Sequence, residues 1–244
     1  KVMGAAAARC VPVSLELGGK SPIVVFADAD PEQAVDCIIG GIFYNCGQMC
    51  SATSRLLLEK RAANAVLERL VERARALKIG SPFADGTEMG PLTTEPQYRK
   101  VLATFERVRD DGLRCLTGGH PLTQGEGFFV APTIYADVPA DNAVWREEIF
   151  GPALAVRTFD GEAEAVALAN DSDYGLVATV VSGDPARAGR VAAQIDAGHI
   201  WINSLQVIFP HTAWGGFKAS GIGRELGPWG LHSFLGVKHI TARP

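Results

Sequence analysis

One carboxylate and one thiol are the residues of this sequence best placed to do chemistry together. Glu16 ends an apolar stretch and is followed by two glycines, Gly18 and Gly19. A carboxylate in apolar surroundings has a raised pKa and can act as a general base near neutral pH. Cys50 follows a segment that contains Gly47. Because a glycine-containing loop keeps a sulfur accessible and lets backbone N–H groups face a developing oxyanion, we expect Cys50 to be a nucleophile.

A second pair of candidate residues, Glu148 and Phe150, lies on a turn-forming segment. Residues 147–152 read Glu-Glu-Ile-Phe-Gly-Pro, which places two acids and an aromatic ring before a glycine and a proline. Each feature has a plainer interpretation when it is taken alone. Glu16 would be a surface acid at a strand end, Cys50 an inert core thiol, and residues 147–152 a loop with a packing ring. Only the combination indicates a site.

The order and spacing of these segments resemble the aldehyde dehydrogenase family. Cys50 lies 34 positions after Glu16, which fits that family. Two glycine-rich segments add to the resemblance, Gly-Gly-Phe-Lys-Ala-Ser-Gly at 215–221 and Gly-Arg-Glu-Leu-Gly at 223–227. Several motifs in one order are far more specific than any of them alone, and the resemblance covers essentially the whole chain.

The resemblance implies a mechanism in which the Cys50 thiolate attacks the carbonyl carbon of an aldehyde. The backbone N–H of Cys50 would help to hold the resulting oxyanion. The thiohemiacetal would pass a hydride to a nicotinamide and leave a thioester on the sulfur. Glu16 would then activate the water molecule that hydrolyses this thioester to the acid.

The resemblance also implies NAD as the cofactor, with NADP not excluded. Glu148 matches the family position that binds the nicotinamide ribose, and Phe150 matches the ring beside the nicotinamide. Leu17 would contact the nicotinamide through its backbone. Glu225 matches an acid near the path of the water molecule.

Two aromatic residues are candidates for binding the substrate. Trp214 stands in Thr-Ala-Trp-Gly-Gly, and Tyr44 lies six positions before Cys50. Both rings would line one tunnel, and aromatic faces attract a cationic ammonium group. The surrounding segments look like those of betaine-aldehyde or aminoaldehyde dehydrogenases. The alternative is an apolar tunnel for aryl or alkyl aldehydes, and the sequence leaves both open.

Composition excludes several other classes of function. The chain has 244 residues and a net charge of −4, which argues against nucleic-acid binding by phosphate neutralisation and against a polybasic membrane surface. No uninterrupted apolar stretch is long enough to predict a membrane span. The histidines and cysteines lack the spacing of a zinc site, so we expect no metal. The cysteines number five, which is too few for a disulfide framework and fits a reducing compartment, so we expect a cytoplasmic protein.

Strand and helix patterns alternate along the chain, which predicts an α/β fold with a largely parallel sheet flanked by helices. Two predicted helices follow the capping residues Asp30 and Asp184, each before a proline, and run towards residues 43 and 195. A third predicted helix covers 94–111. The other predicted helices cover 62–77, 162–170 and a short stretch up to 234. The predicted strands cover 11–17, 21–26, 54–59, 114–117, 128–130, 133–136, 153–159, 176–181, 199–203 and 237–241.

The resemblance divides the chain into three parts. Residues 1–26 would end a dinucleotide-binding domain, residues 27–234 would form the catalytic domain, and residues 235–244 would form a C-terminal oligomerisation strand. The chain starts at Lys1 within a predicted helix and has about half the usual family length, which suggests a fragment. We therefore expect weak NAD binding and slow turnover by this polypeptide alone.

Three function classes follow for the whole protein. The first is an NAD(P)-dependent aldehyde dehydrogenase that acts on a small-molecule aldehyde and forms a homo-oligomer, either a dimer or a tetramer. The second is a cofactor-free thiol esterase that uses Cys50 and Glu16. The third is a catalytically inactive fragment that serves only as an assembly module.

Overall fold

A seven-stranded sheet forms the centre of the molecule in the computed structural model, which describes residues 1–123 and 126–244. Its strands are β2 (Pro22–Val25), β3 (Arg55–Glu59), β4 (Arg114–Thr117), β5 (Thr133–Ala136), β6 (Ala153–Phe159), β8 (Val177–Val181) and β9 (His199–Ile202). Their order across the sheet is β4-β5-β6-β3-β2-β8-β9. Only β4 and β5 pair antiparallel, so the predicted α/β fold with a largely parallel sheet is confirmed.

Four further short strands lie outside this sheet and pair in two antiparallel ribbons. They are β1 (Leu15–Glu16), β7 (Tyr174–Gly175), β10 (Phe217–Lys218) and β11 (Gly221–Ile222). Strand β1 pairs with β11, and β7 pairs with β10. These ribbons bring the segment around residue 16 next to the glycine-rich segment around residue 221.

The helices cover the sheet because its central strands are apolar on both faces. All residues of β2 and β3 are buried, and Ile23, Leu56 and Leu57 have no exposed surface. The helices are α1 (Val2–Ala7), α2 (Pro31–Ile42), α3 (Ala63–Ala76), α4 (Glu95–Asp110), α5 (Ala143–Arg146), α6 (Glu162–Asn170), α7 (Pro185–Ala192) and α8 (Gly227–His232). No helix among residues 1–123 and 126–244 is long and apolar enough to cross a membrane.

The predicted helix starts are confirmed by their capping hydrogen bonds. The Asp30 carboxylate accepts the backbone N–H of Gln33 at 2.8 Å, and the Asp184 carboxylate accepts that of Ala186 at 2.9 Å. Each cap satisfies a backbone donor that has no partner inside its helix. The third predicted helix begins one residue after its cap, Thr94.

Three strand predictions differ from the structure because apolar alternation does not by itself supply a pairing partner. The strand predicted over 11–17 shrinks to β1, since only Leu15 and Glu16 face another strand. The strand predicted over 128–130 forms only two isolated bridges. Residues 237–241 form no strand, and their side chains lie exposed. Since pairing between subunits requires a second chain, the predicted oligomerisation strand at 235–244 stays a prediction.

The predicted domain boundary at residue 26 falls inside the main sheet. Strand β2 pairs with β3 on one side and with β8 on the other, so it is a central strand of the sheet that the rest of the chain builds. Parallel pairing on both sides explains the wholly apolar sequence of β2. The division of the chain at residue 26 stays a prediction. The assignment of the preceding residues to a dinucleotide-binding domain stays a prediction.

A buried arginine ties β3 to the neighbouring loops. The Arg55 guanidinium is 1% exposed and donates hydrogen bonds to the backbone carbonyls of Lys20 at 2.7 Å and Ala169 at 2.7 Å. It also lies 5.2 Å from the centroid of the Trp145 ring. Arginine suits this place because its planar group has five donors and binds aromatic faces.

We expect Arg55→Leu to lower the free energy of unfolding by about 3–5 kcal/mol, since it leaves several buried carbonyls without a donor. Arg99→Leu is the matched control, because Arg99 is an exposed helix residue paired with Glu95 and such pairs contribute at most about 1 kcal/mol. Urea unfolding followed by circular dichroism measures both. Equal, small losses in the two variants would contradict the anchoring role.

Candidate active site

Glu16 reaches the site from the last position of β1. It lies opposite Gly221 of β11, and a Cβ atom at Gly221 would approach the carbonyl oxygen of Leu15 to 2.2 Å. Glycine therefore permits this close antiparallel contact. The Glu16 side chain is half-buried, and its Oε1 atom has no hydrogen-bond partner among the described residues.

Cys50 is presented by a tight segment that follows α2. Asn45, Cys46 and Gly47 all have positive φ angles, of 50°, 56° and 69°. The Asn45 side-chain amide donates to the backbone carbonyl of Gln48 at 3.1 Å. The Gln48 side-chain amide donates in return to the backbone carbonyl of Asn45 at 3.1 Å, and the two hydrogen bonds stabilise this backbone. Two consecutive non-glycine residues in the left-handed region are strained, and such strain concentrates at functional sites. The turn leaves Cys50 half-buried, whereas Cys46 is buried.

The structure brings Cys50 and Glu16 together. The Glu16 carboxylate lies close enough to act on the thiol, and burial together with the negative charge of Glu16 raises the pKa of Cys50 to about 11. The backbone N–H groups of Ser51 and Cys50 face the sulfur and act against that rise in pKa. The resting cysteine is therefore a protonated thiol beside its proton acceptor, rather than a preformed thiolate.

The pKa of Glu16 is also raised, and burial is the main cause. The charges of Glu225 and Glu148 add to this rise in pKa, whereas contacts with the Cys50 thiol and the Trp214 indole oppose it. The apolar surroundings predicted for Glu16 are thus present. The raised pKa makes the Glu16 carboxylate a better proton acceptor than an exposed glutamate.

Trp214 lies beside the thiol in an aromatic cluster that we define as His199, Trp201 and Trp214. The Trp214 ring is 7% exposed, and its centroid lies 6.3 Å from that of Trp201 and 5.7 Å from that of His199. Cys50 packs against the buried apolar group of Leu176, Val177, Trp201 and Trp214. The sequence analysis overlooked His199 and Trp201, although their alternation along one strand predicts that both point to the same face.

Tyr44 does not join the aromatic cluster. Its side chain is 65% exposed on the short 3₁₀ helix Tyr44–Gly47. A left-handed turn separates Tyr44 from Cys50, and sequence distance alone could not reveal the direction of that turn. Trp214 therefore belongs to the aromatic cluster, whereas the Tyr44 side chain lies outside that cluster.

The loop that carries Glu148 and Phe150 is held by α4. The Lys100 ammonium donates to the carbonyl oxygen of Glu148 at 3.0 Å, and the Gln97 amide donates to that of Phe150 at 2.8 Å. Phe150 is half-buried and has a φ of 58°, a second strained backbone in the site. Sequence analysis missed Gln97 and Lys100 because nothing in a helix pattern reveals which loop it will meet.

This loop brings Glu148 next to the segment that follows Glu16. The backbone N–H of Gly19 donates a hydrogen bond to Oε1 of Glu148 at 3.0 Å. Leu17 lies between the two acids, is 46% exposed, and donates its backbone N–H to the carbonyl oxygen of Ser220 at 3.0 Å. The predicted residues Glu16, Leu17 and Glu148 therefore lie together, although they come from distant parts of the sequence.

Glu225 lies at the edge of the site. Its side chain is exposed, and its backbone exchanges two hydrogen bonds with that of Trp214, at 2.8 and 2.7 Å. The pairing fixes its distance from Glu16, whose pKa its charge raises. No group of three or more His, Cys, Asp or Glu side chains within 1–123 and 126–244 could hold a metal ion.

The residues present fit the nicotinamide-ribose end of a dinucleotide. Only Oε1 of Glu148 has a hydrogen-bond donor in the described chain, so Oε2 is available to accept from a ribose hydroxyl. The half-buried Phe150 ring lies two residues away, and Leu17 is exposed between this loop and the thiol. The acceptor, the ring and the exposed backbone are the groups that such a ligand requires.

Comparison with known proteins assigns this geometry to a family. The sequence profile of the aldehyde dehydrogenase family matches residues 1–240. The chain is 48% identical over 242 residues to the peroxisomal aminoaldehyde dehydrogenase 2 of Pisum sativum, covering 99% of this chain and 48% of that protein. It is 44% identical over 243 residues to the chloroplastic betaine aldehyde dehydrogenase of Beta vulgaris, covering 99% and 49%.

A solved structure shows the same fold. The betaine aldehyde dehydrogenase of Staphylococcus aureus, crystallised in complex with NAD⁺, superimposes with a TM-score of 0.95 at 38% identity. The alignment covers 98% of this chain and 48% of that protein. The chain thus spans about half the length of the relatives that it matches.

The predicted cytoplasmic location is wrong by this comparison. The plant relatives are named as peroxisomal and chloroplastic proteins. The prediction rested on the number of cysteines, which reports the redox state of a compartment and cannot distinguish one reducing compartment from another.

Proposed function

The chain belongs to the aldehyde dehydrogenase family, and we propose that it carries the catalytic half of an enzyme that oxidises an aldehyde to a carboxylic acid with NAD(P). One observation carries the proposal. The Glu16 carboxylate lies close enough to Cys50 to raise the pKa of its thiol, and the Glu148 carboxylate accepts a hydrogen bond from Gly19, three residues after Glu16. A nucleophile, a base and a ribose acceptor are thereby within reach of one small ligand.

In the first step, Glu16 accepts the thiol proton as the Cys50 sulfur attacks the carbonyl carbon of the aldehyde. The high pKa of Cys50 gives this transfer its value in the wild type, since little thiolate exists at neutral pH while the Glu16 charge is present. The product is a thiohemiacetal on the sulfur. Backbone N–H groups at Cys50 and Ser51 stabilise the oxyanion that forms on the carbonyl oxygen.

Leu17, Glu148 and Phe150 would hold a nicotinamide, which would supply the acceptor for the hydride that the thiohemiacetal loses on becoming a thioester. In the second half of the reaction, Glu16 first releases the thiol proton to solvent. It then takes a proton from a water molecule, whose oxygen attacks the thioester carbon. The carbon–sulfur bond breaks, the carboxylic acid leaves and the thiol is restored. The raised pKa of Glu16 suits a group that must accept and release a proton in each turnover.

We propose a cationic aldehyde, such as betaine aldehyde or an aminoaldehyde, as the substrate. The Trp214 ring lies beside the thiol, and two acids, Glu16 and Glu225, lie close to it. An aromatic face and nearby carboxylates both favour an ammonium group over a neutral one. The names of the relatives, aminoaldehyde and betaine aldehyde dehydrogenases, add support.

Trp214→Leu should reduce the preference for a cationic aldehyde by about 3- to 30-fold, since one cation–π contact contributes about 0.5–2 kcal/mol. The measurement is the ratio of kcat/KM for betaine aldehyde to that for 3,3-dimethylbutanal, its neutral isostere. Trp214→Phe keeps a ring and is the matched control. An equal loss for both aldehydes in Trp214→Leu would favour the alternative of an apolar tunnel for aryl or alkyl aldehydes.

The proposed oxidation is tested by following NADH formation from an aldehyde and NAD⁺, together with hydrolysis of p-nitrophenyl acetate. The proposal expects NADH in proportion to the aldehyde consumed, and both reactions should depend on Cys50. Steady ester hydrolysis without NADH would instead identify a cofactor-free thiol esterase. If neither NADH formation nor ester hydrolysis occurred, the result would indicate a catalytically inactive assembly module.

A further inference from the structure

The Glu148 carboxylate lies flat against the backbone that follows Glu16. Its Oε1 accepts the Gly19 N–H at 3.0 Å. A Cβ atom added to Gly18 would lie 2.3 Å from Oε2 and 2.7 Å from Oε1. Only a residue without a side chain leaves room for this contact, so Gly18 and Glu148 form one fitted pair.

We infer that Glu148 is a positioning residue for Glu16, and that it acts by fixing the segment Leu17–Gly19 from which the Glu16 carboxylate reaches Cys50. The inference rests on the proposed function, because it assigns Glu16 the role of base. It adds a second task to Glu148, whose other oxygen is proposed to bind the ribose.

Arg55 holds the carbonyl oxygen of Lys20 at the end of this segment, but few hydrogen bonds hold Leu17–Gly19 themselves. Strand β1 has two residues, and beyond it only the Leu17 N–H continues the pairing, with the carbonyl of Ser220. The next residues are Gly18 and Gly19, which have the greatest backbone freedom. Without a fixed point after Glu16, its carboxylate would sample several positions relative to the thiol.

Gly19 is also in direct contact with the nucleophile's backbone. A Cβ atom at Gly19 would lie 2.7 Å from the carbonyl oxygen of Cys50. Gly19 is therefore packed between Cys50 on one side and the Glu148 carboxylate on the other. A movement of the Glu148 carboxylate would therefore displace Gly19, and with it the backbone next to both Glu16 and Cys50.

A buried amine favours the observed position of Glu148. Lys20 is 1% exposed, and its Nζ atom has no hydrogen-bond partner among the described residues. Burial and the charge of Arg55 lower the pKa of Lys20 to about 7, whereas the charge of Glu148 acts in the opposite direction. The carboxylate thus supplies negative charge near a cation that lacks a direct partner.

Hydrogen exchange at the Gly19 amide tests the inference without aldehyde or cofactor. In Glu148→Ala this amide should exchange about tenfold faster, which corresponds to the loss of one hydrogen bond. Glu148→Gln keeps a carbonyl acceptor and should retain the protection. Glu147→Gln is the control for charge, since Glu147 is exposed and pairs with Arg107 at 3.3 Å. Unchanged exchange in Glu148→Ala would overturn the inference.

A second readout reports the position of Glu16 itself. Because Glu16 raises the pKa of Cys50, a less constrained Glu16 should move the pH profile of Cys50 alkylation by iodoacetamide to lower pH. We expect that shift in Glu148→Ala but not in Glu148→Gln or Glu147→Gln. Peptide mass spectrometry reads alkylation at Cys50 separately from the other cysteines.

Gly18→Ala is an independent variant that displaces the carboxylate without removing it. Its Cβ atom should force Glu148 away and reproduce both the faster exchange and the shifted alkylation profile. Circular dichroism verifies that each variant folds. A wild-type alkylation profile in both Gly18→Ala and Glu148→Ala would contradict the inference. The proposed oxidation is tested separately, since it fails only if aldehyde and NAD⁺ yield no product.

Discussion

Replacing Cys50 by serine should reduce the rate of aldehyde oxidation by at least about 10⁴-fold, because the reaction then lacks its nucleophile. A hydroxyl group is a far weaker nucleophile than a thiol at the same place, and Glu16 would have to remove a much less acidic proton. The half-buried position of Cys50 and the effect of Glu16 on its pKa support the proposed role as the nucleophile. NADH formation at saturating aldehyde and NAD⁺ measures the effect.

Cys46→Ser is the matched control for this prediction. Cys46 lies four positions earlier, but it is buried, and burial raises its pKa to about 12. We expect this variant to keep its activity and to lose at most a few kcal/mol of stability, as the hydroxyl replaces a thiol in the core. Loss of activity in Cys46→Ser with retention in Cys50→Ser would reverse the assignment of the nucleophile.

Glu16→Gln should separate the two halves of the reaction. An amide cannot accept a proton from water, so hydrolysis of the thioester should slow by about 10²- to 10⁴-fold. Acylation loses less, because removing the negative charge also lowers the pKa of Cys50 and creates more thiolate. Rapid-mixing measurements should therefore show one burst of NADH per site followed by a very slow steady phase.

The pH dependence of hydrolysis follows from the raised pKa of Glu16. The carboxylate is the active form, so the wild-type rate should fall as the pH drops through this raised value and level off above it. Glu225→Gln is the control, since it removes a charge that raises the pKa of Glu16 and should move the profile to lower pH without abolishing activity. A pH-independent rate, or a wild-type profile in Glu16→Gln, would contradict the role of the base.

The elements that were predictable from the sequence are those with a local physical cause. Capping residues such as Asp30 and Asp184 define where helices begin, and wholly apolar runs such as residues 22–25 predict buried parallel strands. Elements that depend on a distant partner were predicted poorly. The strand predicted over 11–17 is longer than the observed β1, and residues 128–130 pair only as isolated bridges.

The same distinction applies to the site. Glu16, Cys50 and Glu148 stand in recognisable motifs, and the fold brings them together. Tyr44 lies outside the aromatic cluster, the chain passes from it through the left-handed run at 45–47 to Cys50, and its role in substrate binding stays a prediction. Gln97 and Lys100 were missed because they act through contacts with a loop some 50 positions away. Tertiary contacts of this kind leave no periodicity in a single sequence.

The central claim is that Cys50 carries the acyl group that Glu16 helps to release, and one measurement tests it most directly. Glu16→Gln is incubated with an aldehyde and NAD⁺, quenched in acid, digested and analysed by mass spectrometry. We predict the mass of the acyl group on the peptide that contains Cys50, and its removal by hydroxylamine as expected for a thioester. An unmodified Cys50 with NADH formed, or an acyl group on another residue, would contradict the account.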